Sequence, residues 1–136
     1  MVAFVAGIGN YNILGKLRNP VPDAKKMAKF LKTKNVEIYS AYDCGIEDLK
    51  EKFALFVAAV RPGDAVFMYF ACHAAIFDNS LRLMAISNSK THDIKADSLS
   101  KEQLVAWSAT QTRTSCASHS QHPCTQHSSH GLPQCL

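Results

Sequence analysis

Short apolar runs alternate with stretches of helical period along the first 107 residues. Residues 2–8 form an apolar run that ends at a glycine-containing turn, which is typical of a buried strand. From residue 22 to residue 34, apolar side chains recur at i, i+3, i+4 and i+7, and the lysines lie outside that stripe. This spacing predicts an amphipathic helix that a proline begins and that carries an aspartate in its first turn.

Two further strands and a second helix follow along the chain. Residues 36–39 predict a short strand, and residues 46–60 repeat the helical period until Pro62 and Gly63 end the helix. Residues 65–71 are apolar without interruption. We therefore predict that they form a strand in the middle of a sheet that helices cover on both faces.

The remaining predicted elements are a turn at residues 76–79, a strand at residues 81–86 and a helix that begins at Ser100, its predicted cap. This order of strands and helices implies an α/β fold with a mostly parallel sheet. In such sheets, ligands and catalytic groups collect beyond the carboxyl ends of the strands. Residues 7–12 and 72–75 are therefore the candidate site segments.

Composition divides the chain at residue 108. The averages over 136 residues, 47% apolar and 19% charged with a net charge of +4, are those of one globular domain. Residues 108–136 hold one charge, Arg113, but three of the five cysteines and four of the six histidines. We predict a folded domain at residues 1–107 and a disordered tail rich in Ser, Thr, Gln, His and Cys at residues 108–136. A second hypothesis is that a frame shift or a retained intron made this tail foreign to the domain.

Several classes of partner and location are excluded by the sequence. The longest apolar run has 8 residues, and a membrane helix needs about 18–20. No basic residue precedes the apolar start, as it would in a secretory signal, so we predict a cytoplasmic protein without a membrane partner. The lysines of the first predicted helix are typical of a solvated helix face, and the following helix carries the acidic Glu47, Asp48 and Glu51, so we predict no nucleic acid partner. Gly7 and Gly9 lack the spacing of a dinucleotide fingerprint, and we predict no cofactor.

His73 is the strongest candidate for chemistry. It lies directly after the apolar run at residues 65–71, and small side chains flank it on both sides. An imidazole that titrates near neutrality suits a general acid or base in that position. From position alone, a histidine that is merely held by hydrogen bonds at the edge of the sheet explains the residue equally well.

Four segments, in order, resemble the caspase-like peptidases, the family of caspases, metacaspases and paracaspases. They are GIGNY (7–11), LRNPVPDAKKMAKFL (17–31), PGDAVFMYFACHA (62–74) and DNSLRLMAI (78–86). The resemblance covers about the whole of residues 1–107. It implies a caspase-like α/β/α sandwich with a mostly parallel central sheet, of which this chain holds the N-terminal, histidine-bearing portion.

The resemblance also implies site residues and a substrate class. His73 takes the place of the catalytic histidine, which in this family assists a cysteine nucleophile in the hydrolysis of peptide bonds. Asp23 falls where metacaspase-like members bind a basic substrate side chain, and a carboxylate in the first turn of a helix also complements the helix dipole. The implied partners are a protein or peptide substrate and a caspase-like partner chain.

This sequence departs from the family pattern around the histidine and after Trp107. Cys72 and Ala74 replace the two glycines that usually flank the histidine, and no apolar strand follows to hold a nucleophile. Cys116 lies 43 residues beyond His73 in a polar stretch that gives it no support. We therefore predict a truncated cysteine endopeptidase that is weakly active or inactive. The alternative is a non-catalytic pseudo-protease that binds a partner through the exposed edge of its incomplete sheet.

The other cysteines and the tail histidines carry no predicted chemistry. Cys44 has no visible partner, and Cys72 suits the role of a small buried hydrophobe. The tail places seven potential metal ligands within 20 residues but has no apolar core to fold around an ion, so we predict no metal site. These ligands are Cys116, His119, His122, Cys124, His127, His130 and Cys135.

Overall fold

The computed structural model describes residues 1–86, 93–107 and 109. Within them, strands and helices alternate as the sequence predicts. The elements are β1 (Val2–Gly7), α1 (Pro20–Lys32), β2 (Glu37–Tyr42), α2 (Ile46–Ala59), β3 (Val66–Ala71), β4 (Ala74–Phe77), β5 (Ser80–Met84) and β6 (Ser98–Ser100). The first three strands form a parallel sheet in the order β2-β1-β3, and the last three form a second sheet in the order β4-β5-β6.

Helices α1 and α2 lie on opposite faces of the parallel sheet. Successive side chains of β1 point to opposite faces, so β1 contacts both helices. One face of β1 packs with the buried residues of α1, and the other packs with those of α2. The α1 side contains Ala3, Val5, Ala24, Ala28 and Leu31, and the α2 side contains Val2, Phe4, Leu49, Phe53 and Phe56. The centre of the α2 side is the edge-to-face pair Phe4 and Phe53, whose ring centroids are 5.1 Å apart. This arrangement confirms the predicted α/β/α sandwich.

The second sheet is antiparallel and follows directly after β3. A two-residue turn of Asp78 and Asn79, with φ of 50° and 58°, joins β4 to β5. Two successive residues with positive φ give the tight turn that suits the twist of a hairpin. The sheet is attached to the rest of the fold where the N–H of Ile86 donates to the carbonyl of Cys44 at 3.0 Å and where Leu99 enters the α2-side core.

Within the described residues, two sequence predictions about strands differ from the structure. Residues 65–71 were expected in the middle of the sheet, but β1 is the middle strand and β3 lies at the edge of the described sheet. Apolar side chains on both faces of a strand indicate that helices cover both faces of the sheet. They do not show which strands lie beside it. The turn expected at 76–79 is confined to Asp78 and Asn79, because this pair supplies the whole reversal and leaves Ile76 and Phe77 in β4.

Some element boundaries also differ from the prediction. Helix α1 begins at Pro20 instead of Pro22, since proline is well suited to the first helical position. Strand β2 continues to Tyr42, beyond the predicted 36–39, because its pairing with β1 carries it through the polar Ser40. The predicted strand at 81–86 is β5, which pairs antiparallel to β4 because a two-residue connection permits no parallel pairing.

The predicted cap at Ser100 is confirmed. Residues 101–107 are helical, and the Ser100 hydroxyl accepts the N–H of Gln103 at 3.1 Å while the Gln103 side chain accepts the N–H of Ser100 at 2.9 Å. This reciprocal pair is a capping box. In the described ranges, no helix has the length and apolar content to cross a membrane. Except for Ala109, the predicted tail lies outside the described residues, so the boundary at 107 stays a prediction.

Candidate functional site

The carboxyl ends of β1 and β3 meet at one edge of the parallel sheet. The N–H of Ile8 donates to the carbonyl of Ala71 at 2.9 Å, so the chain leaves both strands side by side. After β1 it enters the loop of residues 8–19, and after β3 it reaches His73, which precedes β4 directly. The two segments that the sequence predicts as candidate sites therefore lie together.

The His73 ring is held by a carbonyl of the loop that follows β1. Its Nε2 lies 2.7 Å from the carbonyl oxygen of Gly15. A carbonyl can only accept, so we assign the proton of the neutral ring to Nε2, which leaves the lone pair on Nδ1. The half-buried imidazole therefore has a fixed orientation and one nitrogen that is available to take up a proton.

Tyr11 holds the backbone at His73. The N–H of His73 donates to the Tyr11 hydroxyl at 3.1 Å, and that hydroxyl donates to the carbonyl of Met84 at 2.8 Å. Since the N–H of Met84 donates to the carbonyl of His73 at 2.9 Å, these two residues form the next pair of the β4–β5 ladder. In a regular ladder the N–H of His73 would donate directly to the carbonyl of Met84. Here the Tyr11 hydroxyl lies between these two groups and bonds to both.

The aromatic ring of Tyr11 also packs against the imidazole. Their ring centroids are 4.8 Å apart, and the planes are inclined by 55°. Tyr11 is only 1% exposed, and burial raises the pKa of its hydroxyl above the ordinary value. The hydroxyl therefore stays protonated and able to donate to Met84.

Asp43, at the end of β2, fixes the turn that leads to Tyr11. One carboxylate oxygen accepts the N–H groups of Gly9 at 2.8 Å and of Asn10 at 2.9 Å. Asp43 itself has a φ of 43°, a left-handed conformation that aspartate tolerates better than most residues. The ends of all three parallel strands thus contribute to the position of His73.

Tyr11 lies in the predicted site segment of residues 7–12 but has no predicted role there, and neither Gly15 nor Asp43 is predicted as part of this site. The signal that could have found two of them is positional: Tyr11 follows the glycine turn after the first strand, and Asp43 follows the second strand. The carboxyl ends of parallel strands share one edge of a sheet. Gly15 contributes only its carbonyl, for which a sequence gives no signal.

Two cavities flank the loop after β1. One, of about 300 Å³, has His73 in its wall together with the apolar side chains of Leu14 and Met84. The other, of about 510 Å³, is lined by Lys16, Arg18 and Asp43 among others. A larger cavity of about 720 Å³ lies between α2 and Trp107 and shares no residue with the His73 cavity. The surface around the histidine therefore offers an apolar recess on one side and a charged one on the other.

Asp23 lies in the first turn of α1, as predicted. Its side chain is 48% exposed and lies 3.8 Å from the amine of Lys26. It lines neither of the two cavities that flank the loop after β1. The structure therefore brings Tyr11, Gly15 and His73 together, whereas a substrate-binding role of Asp23 stays a prediction.

The two described cysteines are both poor nucleophiles. Cys44 is buried in the α2-side core, and the half-buried Cys72 packs against the same core. Burial raises the pKa of each thiol to about 11. Cys116 lies outside the described residues, as do the other potential metal ligands of residues 116–135. Within residues 1–86 and 93–107, no three potential ligands are grouped to hold a metal ion.

These pKa values predict slow alkylation of Cys44 and Cys72. In the folded protein at pH 8, about one thiol in a thousand is ionised when the pKa is about 11. We expect peptide-resolved mass spectrometry to show slow labelling by iodoacetamide and a rate that rises as the pH approaches 11. In denaturant, both thiols should react at the rate of an ordinary cysteine. Fast labelling of either thiol at pH 7 in the folded protein would contradict the assignment.

The described residues therefore form a parallel α/β sandwich with a positioned histidine beyond the carboxyl end of a strand, the class of fold and site that the resemblance implies. A family model described as the caspase domain matches residues 1–109, and the chain belongs to the caspase family. The predicted family is thereby confirmed, and family membership implies peptide substrates. A search of curated proteins found no match to this chain.

Proposed function

We propose that His73 stands at the position of the general acid and base in a caspase-type site for peptide-bond hydrolysis, a site whose nucleophile is missing from the described residues. The observation that carries this proposal is the hydrogen bond between Nε2 of His73 and the carbonyl of Gly15. It leaves Nδ1 as the atom that takes the proton of a cysteine thiol and then delivers it to the leaving amine.

The backbone after His73 supports the same reaction. His73 and Met84 form a hydrogen-bonded position of the ladder, so the N–H of the next residue, Ala74, points away from β5. Ala74 is not among the described residues with positive φ, so alanine replaces the family's glycine here without left-handed strain. In the proposed reaction, this N–H donates to the oxyanion of the tetrahedral intermediate.

The nucleophile is the part that the described residues do not supply. Burial raises the pKa of both Cys44 and Cys72 to about 11, and Cys44 lies in the core while Cys72 packs against it. We therefore propose that this 136-residue chain by itself hydrolyses peptides slowly or not at all. The same observation favours a second candidate function, a non-catalytic member of the family that acts by binding another polypeptide.

A peptidase assay with matched variants tests both candidates. We expect the purified chain to release at most a trace of fluorophore from peptides that end in Arg or Asp, with His73→Ala and Cys116→Ala giving the same trace. Strong turnover that both substitutions abolish would overturn the non-catalytic function and identify Cys116 as the nucleophile.

Asp23→Asn, compared on the Arg and Asp peptides, tests the predicted preference for a basic side chain.

The role of His73 can be tested without turnover. Long-range ¹H–¹⁵N spectra report which ring nitrogen of a neutral histidine carries the proton. For His73 at alkaline pH we expect the form with hydrogen on Nε2. The opposite tautomer would remove the basic Nδ1 and contradict the proposed role.

A further inference from the structure

Within residues 1–86, 93–107 and 109, the outer edge of β3 presents backbone groups that no other strand pairs with. The carbonyls of Ala65 and Ala71 accept the N–H groups of Val2 and Ile8 from β1, at 3.0 and 2.9 Å. Backbone groups alternate in direction along a strand, so those of Val66, Met68 and Phe70 point away from β1. Among the described residues, no strand pairs with this outer edge.

The side chains of β3 are apolar on both faces and partly exposed. Val66, Phe67 and Met68 are 41%, 36% and 37% exposed, whereas Phe70 and Tyr69 reach the cores on the α2 and α1 sides. Natural open edges are usually blocked by charges, prolines or bulges. Residues 65–72 contain neither a charge nor a proline, and the pairing of β3 with β1 is continuous.

The opposite edge of the same sheet has a different character. Strand β2 is also unpaired on its outer side among the described residues, but it carries the exposed Glu37 and the polar Ser40. The N–H of Glu37 donates to the carbonyl of Met1, which precedes β1, and the N–H of Asp43 donates to the carbonyl of Gly7 in β1. Because backbone groups alternate in direction along a strand, the N–H of Ser40 lies on the outer side of β2. The two edges therefore form a natural comparison within one molecule.

A strand that covers β3 must itself be apolar on both faces. The parts of this chain outside the described residues do not offer one: residues 87–92 read SNSKTH, and from residue 110 onward the large apolar side chains are Leu132 and Leu136. A second copy of β3, with the sequence VFMYFA, satisfies the requirement.

We propose that two copies of this chain associate through antiparallel pairing of β3 with β3. A twofold axis at Met68 places Val66 of one copy opposite Phe70 of the other and directs the free N–H and C=O groups of residues 66, 68 and 70 at each other. The result is a continuous sheet of six strands in the order β2-β1-β3-β3-β1-β2. This inference goes beyond the proposed peptidase function and does not require it, since no catalytic group takes part.

Two proline substitutions test the proposal. Met68→Pro removes an N–H of the outer edge and leaves the bonds between β3 and β1 intact, and Ser40→Pro makes the same change at the outer edge of β2. By light scattering we expect the parent and Ser40→Pro to have twice the molar mass of the chain and Met68→Pro to have the mass of a single chain. A monomeric parent, or a dimer that survives Met68→Pro, would overturn the proposal.

Hydrogen exchange locates the contact independently and shows whether Met68→Pro folds. In the dimer, we expect the amides of residues 66, 68 and 70 to be as protected as those of 67, 69 and 71. In Met68→Pro, residues 66 and 70 should exchange fast while 67, 69, 71 and the amides of β1 stay protected. Protection of 66, 68 and 70 in a parent of monomeric mass would mean that the chain covers its own edge, and it would refute the proposed pairing.

Discussion

A Gly7→Ala variant is expected to lose about 3 kcal/mol of unfolding free energy, the upper end of the usual cost of overpacking. Gly7 ends β1 where α1 begins to cross the sheet. A Cβ at this position would lie 2.5 Å from the carbonyl oxygen of Pro20 and 2.7 Å from the Cβ of Ala24. Both contacts are far inside van der Waals distance, and the first is with backbone. The added methyl group therefore fits only if the first turn of α1 moves off the sheet.

Urea unfolding monitored by far-ultraviolet circular dichroism measures this loss. Gly15→Ala is the matched control, because a Cβ there meets nothing within 4 Å and the chemical change is the same. We expect the control to stay within about 0.5 kcal/mol of the parent. A Gly7→Ala variant as stable as the control would show that α1 does not rest on Gly7.

The role of Gly7 illustrates what local sequence patterns can and cannot predict. The sequence identifies Gly7 and Gly9 as a turn after a strand, and they do end β1. However, the reason for glycine at position 7 is the close approach of α1, which comes from residues 13 to 17 positions later in the chain. A helix crossing is a property of the tertiary fold, so a local pattern gives the position of the glycine but not its purpose.

The same difference between local patterns and tertiary contacts explains which predictions about the helices and strands agree with the structure. The helical period of α1 and α2 and the apolar run of β1 follow from contacts that each element makes with the core, and all three were predicted. The place of β3 at the edge of the described sheet follows from which strand lies beside it, and this depends on how two crossover connections pass over the sheet. Nothing in residues 65–71 encodes that order.

The sequence predicts the chemistry of the candidate site at one residue, His73. The fold supplies the residues that position it. His73 could be found because it follows an apolar strand and matches a family motif. Its contacts with Tyr11 and Gly15 join residues that are 62 and 58 positions apart, and Asp43 reaches Gly9 across 34 positions. Such contacts exist only because the three strands are parallel and end at one edge.

Replacement of Tyr11 by alanine should be the most damaging substitution near the candidate site. It removes a fully buried ring, which costs about 3–5 kcal/mol in a core, together with the hydroxyl that joins His73 to Met84. Tyr11→Phe removes only the hydroxyl and leaves an N–H and a carbonyl without their partner, for which we expect a loss of about 1–3 kcal/mol. Both losses can be measured by urea unfolding. Tyr39→Phe, which removes an exposed hydroxyl bonded to Glu37, is the matched control and should change little.

The imidazole of His73 distinguishes a positioning role of Tyr11 from a purely structural one. If the hydroxyl sets the backbone at His73, its loss shifts the ring away from the Gly15 carbonyl, and the proton on Nε2 loses the acceptor that holds it there. We therefore expect the ¹⁵N spectra of Tyr11→Phe to show both neutral tautomers of His73, while the parent and Tyr39→Phe keep hydrogen on Nε2. A less stable Tyr11→Phe with unchanged imidazole signals would mean that Tyr11 only fills the core, and that the Gly15 carbonyl alone orients the histidine.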